Sequence, residues 1–147
     1  MFAKSLSMAA LVSLACASAR ADPPPASLVG HWLASTPAGP YTLAVEPDGT
    51  YVETIPVNQP EQMNRSEMRE AGKLRASAPS TVSFDVEDWR PRAMAVFMAQ
   101  PNGPALRFDV PVAKPDGGVW RLQFNGADSF TMTDVKAGGS LTFKRGG

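Results

Sequence analysis

The sequence predicts an all-β domain, built as an antiparallel barrel or a sandwich, and three observations carry that prediction. Apolar and polar residues alternate with a period of two in one short run after another. These runs, about ten of them, are separated by turn signals rich in Gly, Pro, Asn and Asp. The clearest runs fall together in residues 119–145, where Trp120, Leu122 and Phe124 oppose Val119, Arg121 and Gln123. Asn125-Gly126 then favours the positive φ angles of a tight hairpin. Phe130 and Met132 alternate with Ser129, Thr131 and Thr133, and after a turn at 136–139 Leu141 and Phe143 oppose Thr142 and Lys144. Such a meander has one apolar face and needs a second layer or a closed barrel to bury it.

From the N-terminus, Lys4, an apolar run over 6–17 and Ala19-Arg20-Ala21 have the order of a secretory signal peptide, 1–21, cut before Asp22. The expected location is outside the cytoplasm, in the periplasm or secreted. Cys16 lies in the signal's apolar run, and Ser13 stands where a lipobox places Leu, so lipid anchoring through Cys16 is not expected. The mature domain would hold no cysteine and rely on ordinary packing. Without Lys4 and Arg20 the 14 basic residues become 12 against 14 acidic ones, a net charge of −2. That balance carries no electrostatic footprint for nucleic acid. No run after the signal approaches the ~20 apolar residues of a membrane span.

Residues 22–27 are a Pro-rich leader, read as a spacer, and the barrel domain is expected over 28–147. Residues 28–33 form an apolar strand ended by a loop at 37–40. Leu43 and Val45 share a face in the next run, Pro47-Asp48-Gly49 turns it, and residues 50–57 return as a β-branched and aromatic strand. Residues 60–71 break the rhythm: Pro60 near the start, Gly72 past the end and helix-compatible residues between them predict one short helix or ordered loop. A short strand at 73–76 follows. Residues 81–87 place Val82, Phe84 and Val86 opposite Ser83 and Asp85. Residues 95–100 and 105–110 flank Pro101-Asn102-Gly103-Pro104 as a hairpin, although Met94, Phe97 and Met98 also fit one helical turn. No repeat of fixed period is present.

Gly30-His31-Trp32 on the first strand resembles the G-x-W of lipocalins and of small bacterial lipocalin-like domains. Thr133-Asp134 is similar to the start of the lipocalin T-D-x motif, and Arg145 to the basic residue that packs on the G-x-W tryptophan. Val135 stands where the family usually has an aromatic, and no C-terminal helix follows. The resemblance implies an antiparallel up-and-down barrel of about 8–10 strands, closed by pairing its first and last strands. Gly30, Trp32 and Arg145 would make that closure, with the arginine stem covering the indole.

Candidate chemistry is sparse. His31 is the single histidine, no G-x-S-x-G is present, and the mature chain has no cysteine nucleophile, so the protein is expected not to be an enzyme. Glu87 and Asp88 are adjacent in a strand and face opposite ways, unlike a glycosidase pair. One histidine falls short of a zinc set, and no cofactor is implied. Met63, Met68, Met94, Met98 and Met132 are soft donors suited to Cu(I), or gap-fillers where irregular segments pack. Asn64-Arg65-Ser66 is a sequon, incidental behind a bacterial-type signal.

Three functions follow as expectations. The first is binding of a small apolar or amphipathic ligand in a cavity lined by Tyr51, Phe84, Trp120, Phe124 and Met132, with 60–71 as a lid. The second is a filled barrel that engages an envelope protein partner through 58–72 and 89–104. The third is methionine-based copper binding. Nothing in the pattern fixes an oligomeric state.

Overall fold

The computed structural model of the chain describes residues 24–57 and 67–146. The expected signal peptide with Cys16, together with Met63 and the sequon, lies outside these residues. Ten antiparallel strands follow a single 3-10 turn at Ala26–Leu28: β1 (Gly30–Thr36), β2 (Gly39–Val45), β3 (Thr50–Pro56), β4 (Glu67–Ala78), β5 (Thr81–Arg90), β6 (Ala93–Gln100), β7 (Gly103–Pro111), β8 (Val119–Phe124), β9 (Ser129–Asp134) and β10 (Ser140–Arg145). Eight of them close a barrel in up-and-down order, with β5 pairing β8 directly and β10 returning to β1. The other two, β6 and β7, leave the wall between β5 and β8 as a separate two-stranded ribbon.

Alternation along the strands builds the core. Trp32, Ala34, Tyr41, Leu43, Val45, Tyr51, Leu74, Val82, Phe84, Leu122, Phe130, Met132 and Phe143 point inward and are buried together. Their rings interlock edge to face, Trp32 on Phe130 with centroids 4.8 Å apart and Tyr51 on Phe84 at 4.8 Å, while Phe130 and Phe143, paired across β9 and β10, stack at 5.1 Å. These arrangements suit the ring quadrupole.

One end of the barrel is sealed. The 3-10 turn places Leu28 in the core, and its carbonyl accepts a hydrogen bond from Trp32 Nε1 at 2.7 Å. Trp32 and Arg145 are register partners across the closing seam, and the Arg145 guanidinium lies 4.3 Å from the indole centroid. Gly30, at φ +133°, leaves room for that guanidinium, since a Cβ there would stand 2.6 Å from Arg145 Nη1. Pro24, in the leader expected as a spacer, is buried beside Gly49.

One expectation is corrected. Of the segment 60–71, expected as a helix or ordered loop, residues 60–66 lie outside the described residues, but Glu67 to Ala71 are the first residues of β4. They pair with β3 from Pro56 to Val52 and continue the strand expected only over 73–76. Ladder hydrogen bonds on both sides of β4 override its helix-compatible composition. The hairpin expected over 95–100 and 105–110 is present as β6 and β7, and Met94 to Met98 is extended, held by its partners on β7.

Candidate functional site

At the opposite end the barrel is polar, and the cause is the register between β3 and β4. Tyr51 and Glu53 are two residues apart on β3 and both face inward; Gly72 stands across from Tyr51 and Glu70 across from Glu53. Glu53 and Glu70 are each only 5 % exposed, so two carboxyl groups meet face to face inside the mouth. Like charges directly opposite on a ladder repel. Tyr41, from β2, donates its hydroxyl to Glu53 Oε2.

Gly72 makes the geometry possible. The β4–β5 register slips between Ala71 and Gly72, and a Cβ at Gly72 would overlap the Asp85 carbonyl oxygen. The bulge re-aims the strand beyond it, including Glu70.

A covering segment, residues 112–118, crosses this end between the ribbon and β8. Gly117 and Gly118 have φ of +68° and +72°, which lets the chain fold back until Phe84 N–H donates to Gly118 O at 3.2 Å. Trp120 Nε1 donates to Gly117 O at 2.9 Å and fixes the indole beneath the segment. Between segment and mouth lies a notch of about 160 Å³, lined by Tyr41, Glu53, Ile55 and Glu70 from the wall, Trp120 from β8, and Pro115, Asp116 and Gly117 from above.

The electrostatics follow from burial. Loss of water pushes the Glu53 carboxyl well above the usual carboxylate range, to about 8, against the opposing hydrogen bond from Tyr41 and with Glu70 adding to the rise. Glu70 is raised by burial as well, and Asp116 above it adds to the effect. At neutral pH the Glu53–Glu70 pair therefore tends to hold a proton. The Tyr41 and Tyr51 hydroxyls are raised too, burial first and the Glu53 charge next. Tyr51 Oη is buried with no hydrogen-bond partner among the described residues.

The residues expected to line a cavity are dispersed by this architecture. Tyr51, Phe84 and Met132 are 1 %, 4 % and 1 % exposed and lie in the packed core. Trp120 borders the notch. Phe124 lies toward the sealed end, about a third exposed, its ring tilted against Phe130 at 5.8 Å. The sequence pattern does not mark Tyr41, Glu53, Glu70 and Asp116 as a site. Their one legible signal was Glu53, an acidic residue in the inward phase of an otherwise apolar alternation; Glu70 lay in a segment read as helical.

The ribbon is a second feature of this end. Register pairs Met94 with Val110, Val96 with Phe108 and Met98 with Leu106, so all six share one apolar face. Phe97 and Arg107 pair on the other face, where Arg107 also binds Asp109 at 3.1 Å. Met94 and Met98, four residues apart on one strand, are separated by ~13 Å, too far to hold one ion together. Met132 is in the barrel core. At the ribbon's base Val112 N–H donates to Arg92 O at 2.9 Å, Trp89 Nε1 donates to Val112 O at 3.2 Å, and Arg92 stacks 3.5 Å over the Trp89 ring. No protein-family model matches this chain, and no curated protein matches it.

Proposed function

We propose that the chain is an exported, lipocalin-like barrel without enzymatic activity that serves as an interaction module of the cell envelope, docking one protein partner through the β6–β7 ribbon. The observation that carries this reading is the ribbon's apolar face, on which Met98, Leu106, Phe108 and Val110 are 58 %, 43 %, 45 % and 48 % exposed. A soluble protein rarely leaves such a contiguous face uncovered.

The chemistry of the face favours a protein over other occupants. Four side chains at these exposures offer roughly 350 Å² of apolar surface, so two copies face to face would bury roughly 700 Å², short of the ~1,200 Å² of a stable interface. The ribbon's only charges, Arg107 and Asp109, satisfy each other on the opposite face and supply no free cation for anionic lipid. A partner that offers an apolar groove encloses both the face and the ribbon edges and so buries more. The carrier reading has less support. Trp32, Leu43, Leu74, Val82, Phe130 and Phe143 are at most 2 % reachable by water and leave no room for cargo among them.

The test places a photo-crosslinking residue at Phe108 and, separately, at Arg107, which faces the other way. In the native envelope, position 108 should give one adduct of defined mass, identifiable as a single protein, and position 107 should give little of it. Adducts only with lipid or with another copy of the chain, or equal labelling from both positions, would overturn the proposal.

A further inference from the structure

The ribbon's apolar face carries a chemical liability that the barrel core does not share. Two of its side chains are methionines, four residues apart on β6. Met94, at the base, is 8 % exposed. Met98, nearer the tip and across from Leu106, is 58 % exposed, more than any other large apolar side chain among the described residues. The other two described methionines are less open, Met132 at 1 % in the core and Met68, across from Ile55 on β4, half-buried. A thioether suits an adaptable apolar contact, yet it also takes up oxygen, and one added oxygen makes it polar.

We propose that Met98 is a site of reversible oxidation by peroxides, and that its sulfoxide switches off docking through the ribbon face. This regulation rests on the reading that the face docks a protein. The reaction is an oxygen-atom transfer: a lone pair on Sδ attacks one peroxide oxygen, the O–O bond breaks as the S–O bond forms, and hydrogen peroxide leaves as water. Sulfur gives up two electrons and the peroxide takes them. Methionine sulfoxide reductases reverse the change.

Position decides why this methionine matters. Register sets Met98 in one row with Met94 and Val96 on β6, beside Leu106, Phe108 and Val110 on β7. A sulfoxide oxygen is a hydrogen-bond acceptor, and none of those five side chains has a donor to offer it. A partner that covers the face would bury that oxygen unpaired, which weakens binding. The same partner shields the sulfur, so docking and oxidation exclude each other. Met98 lies outside the barrel core, so its oxidation changes the face and leaves the fold.

The experiment has two stages. The purified chain is treated with hydrogen peroxide, quenched at intervals and mapped by peptide mass spectrometry. Met98 should oxidise at least about tenfold faster than Met94 and Met132, following their exposure. The chain with the photo-crosslinking residue at Phe108, before and after this treatment, is then added to the native envelope and irradiated. Oxidation should cut the yield of the protein adduct about tenfold, and sulfoxide reductases of both epimer specificities should restore it. In Met98→Leu the yield should not change on peroxide treatment, which assigns the effect to this sulfur and to no other methionine. Met98 oxidising no faster than Met132, an adduct yield that survives oxidation of Met98, or an equal fall in Met98→Leu would overturn the proposal. Failure of docking itself shows differently: the untreated chain then gives no protein adduct, and the switch falls with it.

Discussion

Burying two facing carboxyl groups makes the stability of this barrel fall as pH rises toward neutrality, the reverse of the usual behaviour of proteins rich in paired carboxylates. The sign is fixed by which state holds more protons. Glu53 has an ordinary value of 4.5 when the chain is unfolded and about 8 when folded, so between these limits the native state is the more protonated. Its stabilising contribution is complete below the unfolded value and is lost as pH climbs through the folded one. An interval of about 3.5 pH units at about 1.4 kcal/mol each gives about 5 kcal/mol as the full cost for this one group. Glu70, also raised by burial, acts in the same direction. Asp48 and Asp88 are shifted the other way, by hydrogen bonds from Thr50 and Arg92 respectively, and their contributions change only in acid, below the range of interest. Urea unfolding followed by tryptophan fluorescence should therefore lose about 3–4 kcal/mol between about pH 5 and about pH 8, a large part of the ~5–15 kcal/mol that holds a domain folded. The Glu53→Gln/Glu70→Gln double variant should lose less than about 1 kcal/mol over that range and be the more stable protein at the higher pH. The double change is needed because Glu53→Gln alone would offer an amide donor to the Glu70 carboxylate. A wild-type stability that is flat over this interval, or a double variant that falls as steeply, would refute the assignment of the slope to this pair.

Two further outcomes test the frame around the site. Gly72→Ala would drive a methyl group into the Asp85 carbonyl and the Glu87 amide, backbone atoms on a paired strand, so a loss of about 2–4 kcal/mol in urea unfolding is expected. Arg145→Ala removes the guanidinium from Trp32 together with its hydrogen bonds to Val29 and Ala127 and its ion pair with Asp128. It should cost about 1–2 kcal/mol and change the emission of Trp32, whereas Arg145→Lys, keeping charge without the planar fork, should recover less than half.

How much of this was legible in the sequence depends on whether the deciding interaction was local. The meander from Val119 to Arg145 could be read residue by residue, because alternation and the Asn125-Gly126 turn are short-range signals. The closure by Trp32 and Arg145 was legible only through a resemblance, since 113 positions separate the two residues. The beginning of β4 misled because its stability is not written in its side chains: of residues 67–71 only Glu70 is buried, and the strand is held by ladders to β3 and β5. The hairpin of β6 and β7 was legible as a hairpin, and its apolar face could be seen in Leu106, Phe108 and Val110. That it stands outside the barrel could not be seen, because alternation specifies a face without naming what covers it. The carboxyl pair was hidden for a related reason. Glu53 and Glu70 become neighbours only once the β3–β4 register is set, and Gly72 with its bulge helps to set it.

The two ends of the barrel differ in what their residues can do. At the sealed end every strong interaction is already satisfied: Trp32 has its carbonyl, Arg145 has its indole and its carboxylate, and Leu28 fills the floor. At the open end two buried carboxyl groups face each other, and burial pushes both above the usual carboxylate range. The wall is also weakest there, since β5 meets β8 through only three residue pairs, Thr81 to Ser83, and beyond them the barrel depends on the covering segment. That segment is held at its first residue by Trp89 and Arg92 at the ribbon base, and its Pro115, Asp116 and Gly117 roof the notch. Ribbon and notch are thus joined by seven residues of continuous chain, with two glycines in the left-handed region at the end nearest β8. A barrel needs neither feature in order to fold. Both lie where the core contributes least, which is where a fold can carry function at the smallest cost to its stability.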